Sequence, residues 1–190
     1  MPRIRQDLEA GISSFLCTRN DDLADFLKEK AIIYEEIAKS RTYLFVDEES
    51  FGSSLSIVAY FSIGMSSLSI PKDLSARFLR KLDGYADKAH GKRVDNLPVY
   101  LIGQLAKNDL YAKEISGDEI IQAAIATIRK FYRELGGRLI AVDCKPVPAL
   151  HKFYEKNGFL MIGHNEENDL DQFVYFLNRK QSNFGKIVEF

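Results

Sequence analysis

The sequence predicts a mixed α/β fold: one central sheet of six to seven strands, largely antiparallel, with helices on its faces. Three observations carry this. Residues 42–47 (TYLFVD) and 55–65 (LSIVAYFSIGM) are rich in the β-branched and aromatic side chains that fit a pleated surface. Residues 118–135 place apolar side chains at the spacing of one helix face. From residue 97 onward, strand and helix signals alternate, and such an order closes into at least one right-handed β-α-β crossover.

In chain order, residues 12–17 read as a short strand, apolar and bounded by Gly11 and the turn-forming Asn20-Asp21-Asp22. A helical region then runs to about residue 39, because Leu23, Phe26, Leu27, Ala31 and Ile32 recur at helical spacing and Asn20 or Asp21 can cap it. Strands 42–47 and 55–65 flank Gly52-Ser53-Ser54 and pair as a hairpin. Residues 66–96 turn polar around one short helix at 74–85, an excursion over one face of the kind that carries substrate-facing loops.

Residues 97–105 (LPVYLIGQL) form the most apolar run and predict a central strand, with Pro98 near its start where a missing N–H does least harm. A polar loop, 107–117, leads into helix 118–135, whose stripe is Ile121, Ala124, Ile125, Ile128, Phe131, Tyr132 and Leu135 and whose end is Gly136-Gly137. Strand 138–143, helix 148–157 and closing strands 159–162 and 173–177 complete the set, the last two separated by the acidic loop HNEENDLDQ. The whole reads as one domain over residues 1–178 with a tail, 179–190, in which Phe184, Ile187, Val188 and Phe190 stand isolated among polar residues.

Composition narrows the function. With 26 basic and 27 acidic side chains and a net charge of -1, no global positive field exists to gather nucleic acid, although local clusters occur at Arg77, Arg80 and Lys81, at Lys88, Lys92 and Arg93, and at Arg129, Lys130 and Arg133. Cys17 and Cys144 are too few for a disulfide framework and suit a reducing compartment. The N-terminus has no leader pattern and no window has the length of a membrane span, so a soluble, cytoplasmic protein is expected. His90, His151 and His164 lack paired-ligand spacing, so no metal is expected.

Two segments can hold chemistry. The loop before helix 118–135 offers backbone N–H groups and the positive end of a helix dipole, which suit a phosphate; neither GxGxxG nor GxxxxGK[ST] accompanies it. The segment KFYEKNGF, residues 152–159, sets Phe153 and Tyr154 on neighbouring faces of a short helix, so that one ring enters the core while the other reaches a cleft. Cys144, at a strand end, reads by default as a small buried hydrophobe.

Taken together, the strand LPVYLIGQLAKN, the helix after Gly117, the strand RLIAVDC and the closing FYEKNGF resemble the GNAT acetyltransferases over residues 15–177. The N-terminal segments FLCTRNDDLADFLKEKA, SRTYLFVDE and IVAYFSIGMSSL are similar in layout to GNAT toxins of bacterial toxin-antitoxin pairs. The resemblance implies a GNAT fold and an acetyl-CoA-dependent N-acetyltransferase. It implies that a central strand splays at Gln104, Leu105, Ala106 and Lys107 to admit acetyl-CoA. The pyrophosphate would lie against Ala112, Lys113, Glu114, Ile115, Ser116 and Gly117, where the family pattern [QR]xxGx[GA] survives only in its last glycine. Phe153 would contact the cofactor, and Tyr154 matches the tyrosine proposed to protonate the departing thiolate.

For the base that takes the amine's proton no residue stands out. Gln104 cannot serve, Asp143 reads as structural, and Glu114, Asp109, a water chain or an amine that arrives neutral stay open. The acceptor is either aminoacyl-tRNA, with Arg77, Arg80, Lys81, Lys92 and Arg93 as a basic rim, or a small-molecule or protein amine drawn by Glu166, Glu167, Asp169 and Asp171. A tRNA or antitoxin partner follows from the toxin-like layout, and a homodimer stays open. The damaged glycine pattern keeps one alternative alive: a GNAT-like domain that binds an acyl-CoA or a partner without turnover.

Overall fold

The structure, a computed structural model, describes residues 2–47, 55–84 and 94–178. Six strands form one sheet in the order β1-β2-β3-β4-β6-β5: β1 Ser40–Val46, β2 Ile57–Ser69, β3 Asn96–Lys107, β4 Leu139–Cys144, β5 Leu160–Asn165 and β6 Leu170–Phe176. Only β3 and β4 pair in parallel; every other neighbouring pair is antiparallel. The mixed, largely antiparallel sheet is the expected one, at six strands.

Helix α5, Gly117–Leu135, makes the crossover from β3 to β4, and α6, Pro148–Lys156, lies on the same face. Ile120, Ile121, Ala124, Ile125 and Ile128 of α5 are buried against Ala59, Phe61, Tyr100, Ile102, Ile140 and Val142 of the sheet. Each isoleucine so covered contributes about 1.5–3 kcal/mol. At its start Ser116 accepts from the Glu119 N–H while the Glu119 carboxylate accepts from the Ser116 N–H and hydroxyl, a complete capping box.

The opposite face is covered in two separate places. Helix α1, Pro2–Ser13, and the helical run of α2, Asp21–Asp25, a π turn, Phe26–Lys30, and α3, Ala31–Glu36, pack around Ile57, Tyr60 and Ala106. Helix α4, Ala76–Asp83, covers Leu97, Val99, Leu139, Ala141, Val174 and Phe176 near the other end. Between these two apolar packs the sheet face changes character, as described below.

One element corrects the sequence reading. Residues 12–17 are not a strand: α1 runs through Ser13 and an irregular segment follows. Leu8, Ile12 and Phe15 recur at intervals of four and three and all pack into the same cluster, which is helical rather than alternating spacing. Gly11 is required by close approach, since a Cβ there would sit 2.3 Å from the Leu55 carbonyl oxygen. Residues 170–172, taken as loop, belong to β6, and β2 extends four residues beyond the expected end. The Gly52-Ser53-Ser54 turn, Lys88, His90, Lys92, Arg93 and the tail lie outside the described residues.

Candidate active site

The parallel ladder between β3 and β4 has two rungs among the described residues, Tyr100 with Ile140 and Leu101 with Ala141. Beyond them the strands part. Gln104, Leu105, Ala106 and Lys107 stay registered with Ser62, Phe61, Tyr60 and Ala59 of β2, so on their other side the outward-facing backbone groups of residues 102–107 look into a gap.

Two local features explain the parting. The register between β2 and β3 shifts so that Ser62 faces Gln104 while Ile63 faces Ile102, leaving Gly103 as the extra residue of a bulge that bends the strand. The end of β3 is then tied away from β4. Asn108, 1% exposed, donates its backbone N–H to the Val58 carbonyl and its side-chain amide to the Ile57 carbonyl at 2.9 and 2.8 Å, while its Oδ1 accepts from the Leu110 and Leu16 N–H groups. Asp109 continues the stitching: its carboxylate accepts from both the N–H and the hydroxyl of Thr18 at 2.7 Å. Those bonds hold the Asp109 carboxyl below its usual range, so it is occupied and a poor proton acceptor. Nothing in the sequence pattern singled out Asn108; its signal was an Asn-Asp pair closing an apolar strand.

Tyr154 is buried beneath the end of β4, within an aromatic cluster of Phe153, Phe159 and Phe173 whose ring centroids lie 5.1–5.6 Å from its own. Burial, with smaller contributions from Cys144 and Asp143 at the parted end of β4, pushes its phenol well above the ordinary value. Such a phenol keeps its proton throughout the neutral range and can act only as a donor. Cys144 is likewise buried and its thiol is pushed up to about 11, chiefly by burial, so it remains an inert thiol at neutral pH.

The loop from Ala112 to Gly117 is shaped by its own contacts. Lys107 Nζ donates to the Ala112 carbonyl at 2.7 Å, the Glu114 N–H donates to the Tyr111 carbonyl, and the amides of Ser116 and Glu119 are engaged in the capping box. The N–H groups of Gly117 and Asp118 have no partner among the described residues. Gly117 is closely packed, since a Cβ there would lie 3.1 Å from the Phe153 ring. Phe153 thus sits against the start of α5, and Asp118 is bonded to Lys156 and Asn157 of α6. The first turn of α5 carries two carboxylates where an incoming phosphate would have to compete.

A polar cavity of about 310 Å³ opens near the ends of the parted strands, lined by Thr18, Arg19, Asn20, Asp21, Asp22 and Lys145. Lys145, the residue after β4, reaches Asn20 Oδ1 at 3.4 Å and Asp22 Oδ2 at 3.7 Å. The acidic loop of the sequence does not form one acidic mouth. Asp171 is buried and receives His151 Nε2 at 2.5 Å and His164 Nδ1 at 2.8 Å, which ties α6 and β5 to β6. Burial pushes its carboxyl up, but the two histidine hydrogen bonds outweigh that and hold it below the ordinary value. No group of three or more His, Cys, Asp or Glu suited to a metal ion occurs among the described residues, and no helix among them is long and apolar enough to cross a membrane.

A six-stranded sheet that splays beside its central parallel pair, with one helix crossing over and a tyrosine-bearing helix beneath the split, defines the GNAT fold, and this chain has it. Among the solved structures that resemble it are the AtaT and KacT GNAT toxins of toxin-antitoxin systems. A tyrosine-to-phenylalanine mutant of KacT superposes with TM-score 0.68 at 16% identity, covering 89% of each chain. The AtaT toxin mutant bound to the C-terminus of the antitoxin AtaR and acetyl-CoA superposes at 0.62 and 14%, covering 87% of this chain and 85% of that one. AtaT complexed with acetyl-methionyl-tRNAfMet gives 0.65 and 16%, covering 86% and 87%. No family model and no curated protein matches the sequence.

Proposed function

We propose that the chain is an acetyl-CoA-dependent N-acetyltransferase that transfers the acetyl group to a primary amine by direct attack. The observation that carries this reading is the parting of β3 from β4 beside residues 104–107, with Tyr154 packed under the parted end. Unpaired backbone of Gln104 to Lys107 holds the pantetheine arm as a neighbouring strand would, and the amides near Leu105 and Ala106 polarise the thioester carbonyl. The Tyr154 phenol donates its proton to the leaving thiolate, and its raised pKa keeps it loaded at the pH of the reaction. Phe153 and the loop from Ala112 to Gly117 receive the pyrophosphate end, with Lys113 offsetting Glu114.

For the acceptor we favour aminoacyl-tRNA. Arg77, Arg80 and Lys81 belong to α4, which lies on the sheet face opposite Tyr154, and one structural neighbour is complexed with an acetylated aminoacyl-tRNA. An antitoxin partner belongs to the same reading. The second reading, a GNAT-like domain that binds a partner without turnover, is favoured by the Glu119 carboxylate, which competes with a pyrophosphate at the start of α5.

Purified protein given radiolabelled acetyl-CoA is expected to transfer label to bulk charged tRNA, in an RNase-sensitive form, and less to spermidine. Tyr154→Phe is expected to lower kcat by about a hundredfold or more while acetyl-CoA affinity measured by calorimetry stays within about twofold. Binding with no transfer to any amine would leave the non-catalytic reading standing.

A further inference from the structure

The sheet face opposite Tyr154 carries a polar row that the transferase reading has not used. On β1, β2 and β3, Tyr43, Phe61 and Leu105 point to the α5 side, whereas Leu44, Tyr60 and Ala106 point to the other. Alternation therefore places Thr42, Ser62 and Gln104 on that other face, and the register sets them side by side. On β4 and β6, Val142, Cys144 and Phe173 face α5 and α6, so Asp143 and Gln172 share the opposite face. They are register partners, and Gln172 Nε2 donates to Asp143 Oδ1 at 3.5 Å.

Counting on from the last rung, Leu101 with Ala141, and giving Gly103 to the bulge, brings Gln104 level with Asp143 across the gap. The result is a line, Thr42, Ser62, Gln104, gap, Asp143, Gln172, running across the sheet between the two apolar packs. The buried polar atoms of such a row are costly unless something hydrogen-bonds to them. The Thr42 hydroxyl is buried and has no partner among the described residues.

We propose that this row is the acceptor site and that Asp143 takes the proton released by the attacking amine. The inference rests on the transferase reading. The thioester lies in the gap; the phenol of Tyr154 approaches from one face of the sheet and the Asp143 carboxylate from the other, so that donor and acceptor of protons flank the reacting carbon. A primary amine attacks the carbonyl, the N–C bond forms and the C–S bond breaks. The ammonium proton goes to Asp143, and the thiolate takes the phenolic proton. Solvent then returns a proton to Tyr154 and removes one from Asp143, leaving amide and free thiol. Thr42, Ser62, Gln104 and Gln172 are uncharged, so the part of the acceptor beside the amine is a neutral hydrogen-bonding group such as an ester or amide.

The surroundings suit the role. Asp143 is exposed as a residue, yet enough protein crowds its carboxyl that desolvation pushes it above the ordinary carboxylate range, with Gln172 pulling weakly the other way. The titratable groups that feel its charge are Cys144 and Tyr154 on the far face, and Lys145, two residues on in the chain, lies at the polar cavity. Asp143 is the one carboxylate of the row.

The test uses the full chain with radiolabelled acetyl-CoA and the amine that the wild type labels. Asp143→Asn is expected to lower kcat/KM by about 100-fold or more, abolish the acidic limb of its pH profile and leave acetyl-CoA affinity unchanged. Asp143→Ala is expected to regain part of its rate on addition of formate, which a purely structural carboxylate would not do. Thr42→Val is expected to raise KM with kcat retained. A rate within threefold of wild type in Asp143→Asn, an unmoved acidic limb, or lost acetyl-CoA binding without formate rescue overturns the assignment. A wild type that labels no amine overturns the transferase reading and this inference together.

Discussion

At the scale of single residues, a carboxylate and a phenol with opposite perturbations mark the difference between structure and chemistry. Asp171 is buried and satisfied by His151 and His164, and its folded pKa lies below the ordinary one. A depressed carboxylate contributes stability that is present above its unfolded pKa and is lost as pH falls through the folded value, that is, below about pH 4. Asp171→Asn is therefore expected to lose about 1–3 kcal/mol of stability at neutral pH and to show a flatter acid limb of denaturation, read by thermal melts across pH. Tyr154 is shifted the other way, so as a donor it should still be charged with its proton where an ordinary phenol has ionised. Wild-type kcat is expected to hold through about pH 10 and not to fall with a phenol's normal titration, a point checked by the alkaline limb of the rate profile.

At the scale of elements, α5 shows how one stretch of sequence serves two masters. Its capping box fixes where the helix begins, and the same Glu119 carboxylate occupies the electropositive end that a pyrophosphate would use. Glu119→Gln keeps a side chain able to complete the box while removing the charge. Acetyl-CoA affinity is expected to tighten by about two- to fivefold with little change in melting temperature, by calorimetry and thermal denaturation.

What the sequence disclosed follows the same division. Helix α5 and strands β1 to β4 were legible because their periodicity or β-branched and apolar content is strong; α1 was misread because Ile12, Phe15, Leu16 and Cys17 make a short apolar run between Gly11 and a turn, which looks like a strand when Leu8 is left out. The position of Tyr154 was carried by resemblance, since a buried ring at a helix end has no pattern of its own. The polar row was invisible, because Thr42, Ser62, Gln104 and Asp143 are scattered over a hundred residues and only register brings them together.

At the scale of the whole molecule, the N-terminal segment is built into the ends of the parted strands and is not an appendage. Leu16 and Thr18 are bonded to Asn108 and Asp109, and Asn20 and Asp22 reach Lys145, so the segment that leads into the first turn of α2 touches the ends of both parted strands. Asn108→Ala removes a buried side chain serving three backbone groups in three segments. It is expected to cost about 1–3 kcal/mol and to weaken acetyl-CoA binding as β3 drifts, measured by denaturant unfolding and calorimetry.

The two-rung ladder has a mechanical meaning as well. Strands β1, β2 and β3 make one raft and β4, β6 and β5 another, and among the described residues their backbones are joined edge to edge by just a pair of rungs. A guest wedged into the seam supplies the rungs that the chain leaves out, so occupancy and continuity of the sheet become one event. Among residues 142–144, the amide hydrogens that point away from β6 should exchange quickly in the empty protein and slow when the seam is filled, because the empty molecule opens first along the line where it was never fully laced.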